Sequence, residues 1–286
     1  MNYAMREREG VSSDYHKYTS LKACKAFVFD MDGTLILGKL PAPCSAELVT
    51  YLREKGFKTI VVTNNSSVSN ADHALILSEI LGIPFNENDI YSSLDHIGKY
   101  LMFNWKNATI FPLLTQKAKA YLAKKYGLKF TDKNPDLILV GFDKELTYDK
   151  LEKATLYVQQ GIPWILAHPD YRCPTEKGYI PDAGSIAKLI ELTTNTSPFF
   201  VGGKPSSDFL IGIANILGFD IGEICFVGDR LYTDIAMTLN SGAHPILLLS
   251  GETSERDLKS SDIFDNKRIA VFRDPCHLLN HLREIF

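Results

Sequence analysis

Several things are scarce in this sequence of 286 residues. There are five cysteines, Cys24, Cys44, Cys173, Cys225 and Cys276, an odd number at wide spacing with no Cys-x-x-Cys pair. That pattern argues against a zinc site and against a disulfide framework, so free thiols in a reducing cytosol are the expectation. There is no basic excess: 31 Lys and Arg stand against 34 Asp and Glu, a formal net charge of −3. A broad polyphosphate-binding face is not expected, and neither is a nucleic-acid partner. A small anionic substrate needs only a few local cations and stays open. No apolar run approaches the roughly 18 residues of a membrane span, so no membrane partner is expected. Residues 1–20 are polar and charged and lack the apolar core of a secretory signal. They read as an N-terminal extension without an assignable role, and a cytoplasmic location is the expectation.

What is present is a regular alternation. Hydrophobic residues make up 45% and charged residues 23%, ordinary for a globular chain, and the length suggests two domains. Short apolar runs (Lys25–Asp30, Phe57–Thr63, Ala108–Phe111, Asp136–Gly141, Trp164–Ala167, Pro198–Gly202, Glu223–Gly228, Pro245–Leu249) read as strands. Amphipathic segments between them, among them Ser45–Lys55, Ser69–Leu81, Thr115–Tyr126, Thr147–Gln160, Ala183–Thr194, Pro205–Leu217 and Thr233–Ser241, read as helices. Alternation of this kind predicts an α/β fold with a mainly parallel sheet covered on both faces. Such sheets carry their sites at the carboxyl ends of the strands.

Polar residues concentrate at those ends. Asp30-Met-Asp32-Gly33 follows the first strand. Residues two apart in extended chain point the same way, so Asp30 and Asp32 leave together, and two such carboxylates resist joint ionisation unless a cation lies between them. Oxygen donors of this kind suit Mg2+; a plain Asp-Gly turn is the alternative. An EF-hand beginning at Asp30 fails, because its glycine and its final residue fall at the wrong positions. Thr63-Asn64-Asn65-Ser66-Ser67 offers hydroxyls, amides and free N–H groups ahead of a helix, as a cradle for phosphoryl oxygens or as an ordinary helix cap. Lys204, between two glycines and a proline, is either a local cation for a phosphoryl group or a surface lysine. Asp229 ends a fourth strand, and Asp234 follows on a helix, where it either orients its neighbours or serves the helix dipole.

Together these motifs resemble the haloacid dehalogenase-like hydrolase superfamily, and within it the phosphatases of the NagD and 4-nitrophenylphosphatase type. Asp30-Met-Asp-Gly-Thr34 matches the first motif, Thr63 the second, Lys204 the third, and Gly228-Asp229 through Asp234 the fourth. Further stretches typical of the branch are Val62–Ser67, Gly141–Tyr148, His168-Pro-Asp170 and Pro181–Ser185. The resemblance implies a Rossmann-like, mainly parallel three-layer core formed by residues 21–82 and 186–286, with an inserted α/β cap at about residues 83–185. It implies a Mg2+-dependent phosphatase of a small phosphorylated metabolite. Asp30 would be the nucleophile and Asp32 the acid and base. The metal would be held by Asp30, the backbone carbonyl of Asp32, and Asp229. Thr63, the backbone N–H groups near Asn64 and Asn65, and Lys204 would hold phosphoryl oxygens, and Asp234 would orient its neighbours. From the cap, Arg172, Tyr171 or His168 would meet the leaving group, a structured surface loop being the alternative for each. Related proteins often pair through the cap, so a homodimer formed there is also implied. A phosphotransferase or phosphomutase of the same fold shares the nucleophile. A receiver-like phospho-switch would also use a strand-end Asp, a Thr and a Lys, although the long insertion and the paired aspartates fit it poorly.

Overall fold

The computed structural model describes residues 21–175, 177–262, 266 and 268–286. The extension read at residues 1–20 lies outside them. The chain is mixed α/β and divides into two compact units. Among the described residues, one holds residues 21–62, Ala74–Ile90 and Leu210–Phe286; the other holds Thr63–His73 and Tyr91–Phe209. Among the described residues no helix is long and apolar enough to cross a membrane.

The sheet of the first unit has six strands, in the order Ala270–Phe272, His244–Leu248, Ile224–Gly228, Ala26–Asp30, Lys58–Thr63, Ile90–Ser92. The central pairings are parallel: Phe29 lies opposite Val227, and Asp30 opposite Val62. Ala26–Asp30 is buried at every position, as expected of a strand covered on both faces. Side-chain alternation explains the two coverings. Ile246 and Leu248 join a cluster with Leu48, Val49 and Leu52 of helix Ser45–Glu54 and Leu278, Leu279 and Leu282 of helix Pro275–Ile285. Leu247 and Val271 point the other way and pack with Ile235 and Leu258.

This packing overturns the expectation of free thiols. Cys24 is bonded to Cys225 and Cys44 to Cys276, which leaves Cys173 as the free thiol. The parallel register that sets Phe27 opposite Cys225 brings Cys24 within a Cα–Cα distance of 5.9 Å of it, across 201 residues of chain. Cys44 precedes one helix of the common cluster and Cys276 lies in the first turn of another. Linear spacing carries no trace of such neighbours.

The second unit repeats the principle with five strands, in the order Phe200–Val201, Trp164–Leu166, Leu137–Val140, Thr109–Leu113, Lys129–Phe130, paired in parallel. Ile138, Val140, Trp164 and Leu166 face helices Tyr148–Gln159 and Ala183–Thr194. Leu137, Leu139 and Ile165 face helices Ser93–Asn104 and Gln116–Tyr126. The polar segment after residue 168 forms an antiparallel hairpin of Arg172–Thr175 and Gly178–Pro181.

Candidate active site

Each unit carries one constellation. In the first, three carboxylates meet where neighbouring strands end. Asp30 is the last residue of its strand, and Asp229 follows Gly228, the last residue of the next. Asp30, Asp229 and Asp234 each place a carboxylate oxygen within 4.8 Å of the other two, and all three are buried. Asp234 lies in a π-helical turn, Leu231–Ile235, that opens the helix expected over Thr233–Ser241. Its Oδ2 accepts the N–H groups of Asp229 and Arg230, both at 3.1 Å, so it fixes the backbone that carries Asp229. The Asp229 carboxylate is held in turn: Oδ2 accepts the Glu252 N–H at 2.6 Å and Oδ1 accepts the Thr34 hydroxyl at 3.3 Å. A Cβ on Gly33 or on Gly251 would collide with it, and Gly33 also has a φ of 95°. Those two glycines let backbone close around one carboxylate.

Burial, and then the charges of Asp30 and Asp234, push the Asp229 carboxyl well above the ordinary carboxylate range. Three buried acids converging in this way are unfavourable unless a cation or protons compensate them. Hard oxygen donors on a fixed frame fit a divalent metal such as Mg2+. Asp32 is half-buried and bridges to Ile36 two residues beyond Asp30.

The second constellation begins at Thr63. Thr63 closes its strand and is buried; its hydroxyl accepts the Asn65 N–H at 3.0 Å. The Asn65 side chain turns inward to its own loop, accepting from the Ser67 N–H at 3.0 Å and the Ser67 hydroxyl at 2.7 Å. Asn64 grips the main chain of Lys204, whose N–H donates to its Oδ1 at 2.8 Å and whose carbonyl accepts from its Nδ2 at 3.1 Å. Lys204 is 2% exposed, far from the surface lysine of the alternative reading. Arg172 stands on the hairpin with its guanidinium over the Tyr179 ring, 4.4 Å from the centroid.

Sequence reasoning named Asp30, Asp229 and Asp234, which the structure gathers in one unit, and Thr63, Asn64, Asn65 and Lys204, which it gathers in the other. It missed the contacts of Thr34, Gly251 and Glu252 to Asp229. It read His168 as a candidate contact to the leaving group, whereas the ring is fully buried, with Nε2 3.1 Å from the Ser66 hydroxyl and 3.5 Å from Asp182. The Asp-Gly-Thr order could have pointed to Thr34. Nothing local points to the others.

Comparison with known proteins gives the family of the chain. The profile of the haloacid dehalogenase-like hydrolase family matches residues 27–129, and a second profile of that hydrolase type matches residues 201–278. An acid sugar phosphatase of Staphylococcus aureus is 29% identical over 85% of this chain and 93% of its own. The crystal structure of a 4-nitrophenylphosphatase from Thermotoga maritima is 33% identical, covers 91% of this chain and 98% of its own, and superposes with a TM-score of 0.85. A glycerol phosphate phosphatase from Mycobacterium tuberculosis, solved in complex with magnesium, is 25% identical, covers 91% of this chain and 78% of its own, and gives a TM-score of 0.82. By profile, by sequence and by fold, the chain belongs to the haloacid dehalogenase-like hydrolases, as a phosphate-ester hydrolase of the NagD and 4-nitrophenylphosphatase type.

Proposed function

We propose that the protein is a Mg2+-dependent phosphomonoesterase that works through a covalent phosphoryl group on Asp30. The observation that carries this reading is the trio of buried carboxylates at adjoining strand ends, with Asp32 two residues on from Asp30. In the first half-reaction an Asp30 oxygen attacks phosphorus. The bond to the leaving oxygen breaks, and that oxygen takes a proton from Asp32. In the second, Asp32 accepts a proton from water as the water attacks phosphorus, and the Asp30–phosphorus bond breaks to release phosphate. Asp30, the Asp32 carbonyl and Asp229 would hold the ion, which when bound offsets the repulsion between an anionic nucleophile and an anionic substrate. Thr63 and Lys204 serve the non-bridging oxygens, where positioning and charge neutralisation govern the rate.

The substrate is a small phosphorylated metabolite. Relatives named for a sugar phosphate, a 5'-nucleotide and glycerol phosphate support a small phosphate monoester of that range. Selection of the leaving group falls to the hairpin that bears Arg172 and Tyr179, flanked by exposed Tyr171. Fold alone does not choose among these substrates.

Hydrolysis of 4-nitrophenyl phosphate by the purified protein tests the reading, with Mg2+ and with EDTA. Release of inorganic phosphate only with Mg2+, and a loss of roughly 10³-fold or more in Asp30→Asn, is the expected outcome. Wild-type turnover by Asp30→Asn would remove the nucleophile from the mechanism.

A further inference from the structure

The second unit contains a chain of polar contacts that ends on the backbone of Lys204 and that the reaction as described does not use. Asn64 clamps that backbone at both its N–H and its carbonyl. The same Asn64 Nδ2 lies 3.2 Å from each carboxylate oxygen of Asp170. An amide side chain has one acceptor end and one donor end. Here the Lys204 N–H requires the acceptor end, while Asp170 and the Lys204 carbonyl require the donor end, so one orientation alone satisfies all three.

Asp170 is itself held. Its carbonyl accepts the Gly184 N–H at 2.8 Å, at the start of helix Ala183–Thr194. The ring of His168, fully buried, lies behind it with Nδ1 3.8 Å from the Asp170 carboxylate. One residue before Lys204, the Gly203 N–H donates to His96 Nδ1 at 3.1 Å. The His96 ring is stacked on Phe209, with centroids 5.3 Å apart. Gly203 has a φ of 67°, and a Cβ there would run into Asn64 Oδ1. Two consecutive N–H groups are therefore presented to fixed side-chain acceptors in a loop too tight for any other residue at 203.

We propose that Asp170 is a positioning residue for Lys204, acting through the Asn64 amide. With the Asp170 carboxylate in place, Asn64 cannot rotate without losing a charge-assisted hydrogen bond, so the main chain at Lys204, and with it the root of the ammonium-bearing side chain, stays fixed. Displacements of about 1 Å in a positioning group cost on the order of 10²-fold in rate. This inference rests on the reading of Lys204 as the cation for the phosphoryl group.

The test is a double-mutant cycle on the full-length protein, with 4-nitrophenyl phosphate as substrate and inorganic phosphate as inhibitor. Asp170→Ala is expected to lower kcat/KM by roughly 10- to 10²-fold and to weaken inhibition by phosphate in parallel. Asp170→Asn, which keeps an acceptor oxygen toward Asn64, should recover most of both and serves if the alanine variant folds poorly. In an Asn64→Ala or Lys204→Ala background, Asp170→Ala should cost less than about 2-fold, because the path is already cut. A full cost in the Asn64→Ala background, or lost turnover with unchanged phosphate inhibition, would overturn the positioning role. If Lys204→Ala is inactive while Asp170→Ala matches the wild type, this inference alone fails. If Lys204→Ala matches the wild type, the phosphoryl-binding role of Lys204 fails and the inference with it.

Discussion

Replacing Asp229 by Asn should give an inactive protein that is nevertheless more stable than the wild type when metal is withheld. Asp229 is 1% exposed and offers an oxygen within 4.8 Å of one on Asp30 and one on Asp234. At an effective dielectric constant of about 20, two unit charges at that separation repel by about 3–4 kcal/mol. Protonation of Asp229 relieves part of this, since burial first and then the two neighbouring charges push its carboxyl well above the ordinary range. The sign follows from proton counting. Between about pH 4 and the raised folded value, the folded state keeps a proton on Asp229 that the unfolded chain has released. Stability therefore falls as pH rises through that window, by up to about 1.4 kcal/mol per unit. Asparagine carries no such loss.

In EDTA at pH 8, Asp229→Asn should exceed the wild type by about 1–3 kcal/mol, after allowing about 1 kcal/mol for one poorer contact to the Glu252 N–H or the Thr34 hydroxyl. For a chain of this size each kcal/mol moves Tm by about 2–4 °C. The difference should shrink as pH falls toward 4 and below, where the unfolded chain also takes up the proton. With Mg2+ at 100 times its Kd the wild type should gain about 2.7 kcal/mol, and the variant much less, so most or all of the variant's lead is lost. Urea or thermal melts at pH 5 and pH 8, with EDTA and with Mg2+, read all four cases. A variant less stable than the wild type in EDTA at pH 8, or one that gains as much from Mg2+, would refute the reasoning.

Asp32→Asn should lower kcat/KM, which reports transfer to Asp30 and not the later hydrolysis, by roughly 10²- to 10⁴-fold with an alkyl phosphate and by less with 4-nitrophenyl phosphate, whose leaving group needs little protonation; equal losses of kcat/KM for the two substrates would remove Asp32 as the acid. Iodoacetamide labelling of the unfolded, unreduced protein should modify Cys173 alone, and all five cysteines after reduction; five labels without reduction, read by mass spectrometry, would reject both disulfides. His96 is pushed down to about 4 by burial, so its ring is neutral in the fold while the unfolded chain takes up a proton below about pH 6.5. Stability should therefore fall as pH drops from 6.5 toward 4, and His96→Asn should flatten that limb by about 2–3 kcal/mol in urea midpoints; an unchanged limb would exclude His96 as its source.

The strands were legible because burial on both faces writes itself into composition. Lys25–Asp30 and Glu223–Gly228 are apolar runs that stop abruptly at acids, and the structure ends its strands at Asp30 and Gly228. Helix Ser93–Asn104 was illegible for the opposite reason. Its buried face includes Asp95 and His96, which break the apolar period. Asp95 is tolerated there because Tyr121, Tyr126 and Lys125 all donate to its Oδ1, while Asn70 and the Ser92 N–H donate to its Oδ2. Gly98 faces the Tyr126 ring, with which a Cβ would collide. A polar residue whose partners lie some thirty positions away looks, in the sequence, like the end of a helix.

The candidate site divides along the same line. Residues that would touch phosphorus, its oxygens or the metal must be acids, hydroxyls or cations at strand ends, so residue type and place suffice to nominate Asp30, Thr63, Lys204 and Asp229. Residues that place them need only the right reach, and many side chains have it. Asn64 shows the cost of this ambiguity. From sequence the backbone N–H groups near it were nominated for a phosphoryl cradle, while nothing there pointed its side chain to the Lys204 backbone 140 residues away. Asp170 and His96 offered even less, since a buried carboxylate holding an amide and a neutral imidazole holding an N–H both look like loop or core residues until the chain is folded. Asp170 and His96 are thus positions where mutation should most often surprise a reader of the sequence: they lie outside the four strand-end motifs, yet the loss of Asp170 should register first in phosphate affinity and turnover.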